Sequence, residues 1–296
     1  MKYPVEFSGR QRRSPVIENN LNDYLNAAIL GVVEGLTEFL PVSSTAHIRI
    51  SQELLGVDLN DRYWKMFAIV IQLGAILSVV VYFRSRIIEF IKSYPKGKSG
   101  DRTWLNHPLA LVIISFVVTA VPCYFIDDQI GERLENLNVI GWALVVGGIV
   151  MWAVDIAFSS RATTLDMESM NLRQSLVIGF TQILAAALPG TSRSMATIAG
   201  GQVTGLSRTA ALEFSFFLSI PVMFAATSFK MLQFVLENET AISLHQCGVL
   251  GVGFAVSFVV ALAVIAWFMS WVRRHGFAPF AIYRLIVGAA VLIWLT

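Results

Sequence analysis

Two carboxylates four residues apart, Glu34 and Glu38, stand in the otherwise apolar stretch from Leu30 to Leu40, and after Pro41 come Ser43, Ser44, Thr45 and His47. A spacing of four puts both acids on one helix face. At membrane depth each charge costs roughly 2.5–3.5 kcal/mol on the insertion scale, so both need compensation. A divalent cation, which takes carboxylates together with phosphate oxygens, or a proton on one of the acids would supply it. Pro41 ends the helix. Ser43, Ser44 and Thr45 then offer hydroxyls and backbone N–H groups where the next helix begins, an arrangement suited to an anion. His47, within one turn, has the chemistry of an acid, a base, a nucleophile or a structural hydrogen-bonder. A solvated helix end is the plain alternative for the two acids, and the flanking Val32, Val33, Leu36, Phe39 and Leu40 argue against it.

The same pattern returns 148 residues later: Gly31 aligns with Gly179, Glu34 with Gln182, Leu36 with Leu184, and Leu40-Pro41 with Leu188-Pro189. Gly190, Thr191, Ser192, Arg193, Ser194 and Thr197 follow. Hydroxyls and N–H groups again gather where a helix restarts, now with a guanidinium that binds phosphate bidentately and stays charged at any working pH. A salt bridge from Arg193 to Glu34 or Glu38, joining the halves, is compatible with such a role. Duplicated membrane halves with broken helices in corresponding places put the functional site where the breaks meet.

The surrounding elements must hold these groups in a membrane. Hydrophobic residues make up 55% of the 296-residue chain and charged ones 14%, against about 25% charged in soluble domains. Apolar stretches at about 66–83, 108–126, 138–157, 211–229, 249–271 and 279–296 approach the roughly 20 residues of a spanning helix. The pairs 24–40 with 45–56 and 174–188 with 195–206 are too short to cross and are expected to be re-entrant helix-turn-helix units. The expected fold is therefore all-α, polytopic, with six spanning helices and two repeats, about 24–157 and 174–296, in a single membrane domain of residues 21–296. Residues 1–20 read as a polar, mobile tail, and not as a signal peptide. Basic residues Arg84, Arg86, Lys92, Lys96, Lys98 and Arg102 place the first loop in the cytoplasm, while the acidic segment 127–137, the loop 230–248 and both termini fall outside. The basic tail, with Lys2, Arg10, Arg12 and Arg13, runs against that assignment. Cys123 and Cys247 suggest neither a disulfide framework nor a thiolate metal site.

Glu34-Gly-Leu-Thr-Glu38-Phe-Leu-Pro-Val-Ser-Ser-Thr-Ala-His47 and Pro189-Gly-Thr-Ser-Arg-Ser-Met-Ala-Thr197 resemble the two signature motifs of the bacitracin-resistance type of undecaprenyl pyrophosphate phosphatases, as do the segments around Gln72, Glu213–Pro221 and Tyr283-Arg284. The likeness runs from about residue 24 to the end. It implies interlocked inverted repeats and hydrolysis of a C55 lipid diphosphate to the monophosphate, with Mg²⁺ or Ca²⁺ as cofactor. It also implies a bacterial inner-membrane site open to the outer face, and it admits a homodimer; no nucleic-acid partner is expected. Ala46 and Met195 depart from the family at places where Gly is common, and Ala68 at one where an acid is often found.

Diphosphate hydrolysis is mainly positioning and charge neutralisation, and the residues suit it. His47, Ser44, Glu38 and Arg193 are the candidate catalytic groups. Ser43, Thr45, Gly190, Thr191, Ser192, Ser194 and Thr197 are the candidate substrate-binding groups, and Glu34 and Glu38 the metal ligands. The nucleophile is left open between His47, Ser44 and water. Two rivals share parts of this pattern: an inverted-repeat transporter or flippase for polyprenyl phosphate, and a receptor-like protein holding a lipid head group.

Overall fold

The computed structural model describes residues 20–58, 61–97, 100, 102–133, 136–237 and 242–294. Among them the regular structure is helical apart from one parallel bridge, Thr164 to Leu206. The elements are α1 (Asn20–Thr37), α2 (Ser44–Leu54), α3 (Arg62–Tyr82), α4 (Arg84–Ser93), α5 (Pro108–Arg133), α6 (Leu137–Phe158), α7 (Leu172–Ala187), α8 (Arg193–Val203), α9 (Arg208–Glu237), α10 (Leu244–His275) and α11 (Ala278–Trp294). Side-chain oxygens cap many of the starts: Asp61 accepts from Trp64 N, Asn136 from Val139 N, and Asn171 and Ser243 form reciprocal boxes with Gln174 and Gln246.

Five of the predicted crossings coincide with helices long and apolar enough to span, namely α3, α5, α6, α9 and α10. The sixth, 279–296, forms α11, whose 17 residues rise about 25 Å, a little under the ~30 Å of a hydrocarbon core. Two boundaries differ from the sequence reading. Helix α5 runs on to Arg133, through most of the segment expected to be a loop. The basic loop contains α4, whose Phe90 is buried against the core. The tail, apart from Asn20, lies outside the described residues.

Polarity is distributed as a bilayer demands. Trp142, Ile149 and Ile156 of α6, Val117 and Val121 of α5, and Ile286 and Ile293 of α11 are exposed, whereas Glu34, Ser78, Asp155, Gln182 and Arg284 are buried. In water an apolar exterior this large would drive association, whereas in lipid it costs nothing.

Packing between the two halves is reciprocal. Helix α1 lies on α10, and its duplicate α7 lies on α5; α3 meets α9, and α6 meets α11. The duplicated glycines make the first two contacts possible. A Cβ on Gly31 would stand 2.7 Å from the Gly253 carbonyl of α10, and one on Gly179 2.9 Å from the Ser115 carbonyl of α5. Small residues at such crossings let backbones approach without a hydrophobic driving force between helices. Next to the α7–α5 contact, the Ser115 hydroxyl donates to the Ser175 carbonyl at 2.7 Å. Asp155 secures the far end of the α8 unit: it accepts bidentately from Arg208 at 2.7 and 2.8 Å, and also from Gln202 and the Phe277 backbone N–H.

Candidate active site

Both broken segments end and restart in the same manner. After Pro41 and Pro189 the chain turns, and Ser43 and Ser192 cap α2 and α8 with φ of 74° at each. Non-glycine residues seldom adopt this left-handed backbone, which costs of order 1–3 kcal/mol and persists only where the surroundings enforce it. One enforcing group is Arg284. Fully buried on α11, it donates to the Pro41 carbonyl at 3.2 Å, to the Gly190 carbonyl at 3.1 Å and to the Ala143 carbonyl of α6 at 3.0 Å. Gly147 of α6 leaves room for this guanidinium, which any added Cβ would strike. A single cation therefore holds both turns.

The register of the repeat slips by one residue within these turns. One residue separates Pro41 from its cap and two separate Pro189 from its cap, so Arg193 occupies the place of Ser44. The first residues of the two helices consequently face each other across a cavity of about 200 Å³. Glu38, Ser43, Ser44 and Thr45 of the first break line it together with Ala185, Ala186, Pro189, Gly190, Ser192 and Arg193 of the second, and Gln72 of α3 and Met223 of α9 complete the wall.

Glu38 is the hub. Its Oε2 accepts from the Ser44 hydroxyl at 2.5 Å, and its Oε1 accepts from Arg193 Nη2 at 3.1 Å, both within the buried region. The other terminal nitrogen of Arg193, Nη1, donates to the Ser215 carbonyl at 3.2 Å, while its Nε is buried without an acceptor. Glu34, one turn before Glu38, is wholly buried, and neither of its carboxylate oxygens meets a donor. Glu34 does not line the cavity, whereas Glu38 does; the orphaned Glu34 carboxylate behind it suits a proton or a cation, and substrate and water oxygens would reach such a cation from the Glu38 side. Among the described residues no group of three or more Asp, Glu, His or Cys side chains is gathered, so protein ligands alone would leave such an ion incompletely surrounded.

The remaining predicted residues are placed elsewhere. His47 does not line the cavity: its Nδ1 lies 2.7 Å from the Ser43 carbonyl and its Nε2 2.8 Å from the Tyr283 hydroxyl of α11, with the two rings stacked. Ser194 donates to the Leu40 carbonyl, tying the second break to the first, and Thr197 shares a 2.7 Å hydrogen bond with Ser215 of α9. Thr191 lines an apolar groove between α6, α7 and α8. Gln182, the counterpart of Glu34, donates to Thr119 at 2.9 Å. The sequence reading did not assign Ser215, Tyr283 or Arg284 to the site. Tyr283-Arg284 carried a signal in an ionisable pair within an apolar stretch, where an intramembrane charge marks function by default.

This fold and site define a polytopic helical membrane protein with an anion-suited pocket formed by two helix breaks inside an apolar shell. The chain belongs to the BacA family: the family model described as Bacitracin resistance protein BacA matches residues 27–290. It is 55% identical over 282 residues to an undecaprenyl-diphosphatase of Koribacter versatilis (strain Ellin345), covering 93% of this chain and 99% of that one. It is 41% identical over 279 residues to the undecaprenyl-diphosphatase of Novosphingobium aromaticivorans, covering 93% and 99%. A third undecaprenyl-diphosphatase, from Thermoanaerobacter sp. (strain X514), is 40% identical over 269 residues, covering 91% and 96%.

Proposed function

We propose that the protein hydrolyses undecaprenyl diphosphate to the monophosphate and inorganic phosphate, the activity carried in the names of its relatives. The observation that carries this reading is the Ser44 hydroxyl directed at Glu38 in a cavity where two helix N-termini and Arg193 converge. Two positive dipole ends and a guanidinium suit the two phosphates of a diphosphate. A transporter has no need for a hydroxyl activated by a carboxylate, and nothing in the comparisons favours that alternative.

In this mechanism Ser44 Oγ attacks the terminal phosphorus as its proton passes to Glu38. The Oγ–P bond forms while the bridging P–O bond breaks, and undecaprenyl monophosphate leaves with that electron pair. Glu38 gives that proton to the departing monophosphate and, ionised again, takes one from the water that attacks the phosphoserine; the P–Oγ bond breaks, the proton returns to Ser44 Oγ, and inorganic phosphate is released. Arg193 fixes the Glu38 carboxylate and offers its remaining N–H groups to the phosphoryl oxygens, where charge builds up in the transition state. Glu34 and Glu38 would hold Mg²⁺ or Ca²⁺, which when bound neutralises phosphate charge. Engaged at both ring nitrogens, His47 is a positioning residue that braces the Ser43 cap.

The reading extends to the fold. Reciprocal α1–α10 and α7–α5 packing supports two inverted repeats with α1–α2 and α7–α8 re-entrant and α11 as the sixth span. Basic residues on α4 and at the end of α10 support an inner-membrane orientation in which the cavity opens outward. Phosphate release from a long-chain prenyl diphosphate by the purified protein in detergent tests the activity; its absence with metal supplied would overturn it.

A further inference from the structure

Two apolar grooves flank the reaction cavity. The larger, about 650 Å³ between α6, α7 and α8, shares no lining residue with it. The smaller, about 430 Å³ between α5, α7 and α9, shares Ala185, Ala186, Arg193 and Met223 with it. We propose that the α5–α7–α9 groove receives the first isoprene units of the substrate, an inference that rests on the diphosphatase reading above.

A prenyl chain is covalently attached to the phosphate it follows, so its path must leave the cavity through continuous apolar surface. The α5–α7–α9 groove meets that condition through the four shared residues, whereas the larger groove does not. Polarity along the groove matches the amphiphile. Arg193 and the Gln182–Thr119 pair lie at its inner end; beyond them come Ala120, Cys123, Ala225, Ala226 and aromatic rings, and Lys230 closes the outer end with its ammonium over the Phe229 ring, where a head-group-depth charge is tolerated. At the outer end the rings of Tyr124 and Phe229 make an edge contact at 6.0 Å, linking α5 to α9. From Met223 to Lys230 the α9 backbone rises only about 10 Å. The groove therefore grips the chain nearest the phosphates and leaves the rest to the bilayer, making these residues determinants of chain recognition and not of the phosphoryl chemistry.

The test compares long-chain undecaprenyl diphosphate with the short geranyl diphosphate. Ala226 and Val146 are both exposed, so a large side chain at either position fits the fold. Ala226→Trp narrows the proposed groove and Val146→Trp the larger one. Ala226→Trp is expected to raise KM for the long substrate by at least about ten-fold, on the scale of apolar-pocket discrimination, while geranyl diphosphate turnover stays near that of the parent. Val146→Trp is expected to leave both substrates unaffected. The reverse pattern, or a silent Ala226→Trp, overturns the assignment. A benzophenone-tagged prenyl diphosphate photolysed on the unaltered protein gives a readout independent of folding and catalysis. Adducts within Phe116–Tyr124 or Val222–Lys230 uphold the groove, and adducts within Trp142–Val154 overturn it. Failure of the unaltered protein to release phosphate from either substrate would instead strike at the proposed activity, while the adduct position still reports on the groove.

Discussion

Arg193 and Glu38 stand 155 residues apart in sequence and meet at 3.1 Å, the guanidinium of the second half on the carboxylate of the first. Because the Ser44 hydroxyl binds the other oxygen of the same carboxylate, this pair joins the two halves and also sets the geometry of that hydroxyl.

Replacing Arg193 by Lys keeps the charge and loses the fork. If charge alone mattered, Lys would serve, since Coulomb attraction depends on charge and distance. We expect instead a fall in kcat of roughly 10²–10³, comparable with the loss of one preorganised donor. Separate measurement of kcat and KM for Arg193→Lys and Arg193→Ala decides between the two, and a Lys variant near the parent would reduce Arg193 to a counter-ion.

Ser44→Ala and Glu38→Ala should each lower turnover by about 10²–10⁴, the range of a lost proton-transfer partner. His47→Ala and Tyr283→Phe should have smaller effects, because neither side chain lines the cavity. Acid quenching during turnover should trap phosphate on Ser44, mapped by mass spectrometry; a phosphohistidine at position 47 would reverse the assignment.

Stripping divalent metal with EDTA should abolish phosphate release, and Mg²⁺ or Ca²⁺ should restore it. Glu34→Gln is expected to be milder than Glu38→Ala, because Glu38 alone contacts both Ser44 and Arg193. Full activity after exhaustive chelation would remove the cation from the mechanism.

Arg284→Met should destabilise the protein in detergent, because the buried Pro41 and Gly190 carbonyls lose their donor at about 1–3 kcal/mol each and the partly buried Ala143 carbonyl loses one as well. Thermal unfolding followed by circular dichroism measures this. Unchanged stability would mean that water or a shifted side chain satisfies those carbonyls.

His107 lies outside the spans, just before α5, where burial, aided by the nearby Arg102, pushes its ring below the ordinary histidine pKa. The folded state therefore holds this ring neutral while the unfolded chain takes up a proton near the usual value of about 6.5. Stability is present above that pH and declines as pH falls below it. His107→Gln should flatten the dependence of unfolding on pH between about 5 and 7, and an equally steep dependence in that variant would exclude His107 as its source.

Much of this protein was legible in its residues. Local and compositional signals fixed the apolar spans, the proline breaks and the hydroxyl-rich helix starts, because backbone satisfaction in lipid and helix capping act within a few residues. Duplication also showed that the halves correspond, and Glu38, Ser44 and Arg193 were marked by their types and by the apolar company they keep. Helix α4 and the extension of α5 escaped that reading, since the basic segment and the acidic segment both look like loops when hydropathy is the guide. The tertiary structure alone decided which marked residues share a cavity. The one-residue slip after Pro189 put Arg193 opposite Ser44, and the hydrogen bond and ring stacking with Tyr283 of α11 hold His47 away from the phosphate-suited pocket. It likewise gave Arg284 its place across both turns. Spacing along a chain reports which side chains share a helix face, but contacts between residues 155 or 236 positions apart depend on how whole helices dock. In this protein that docking follows from close glycine contacts, buried hydrogen bonds and volume, none of which has a local signature.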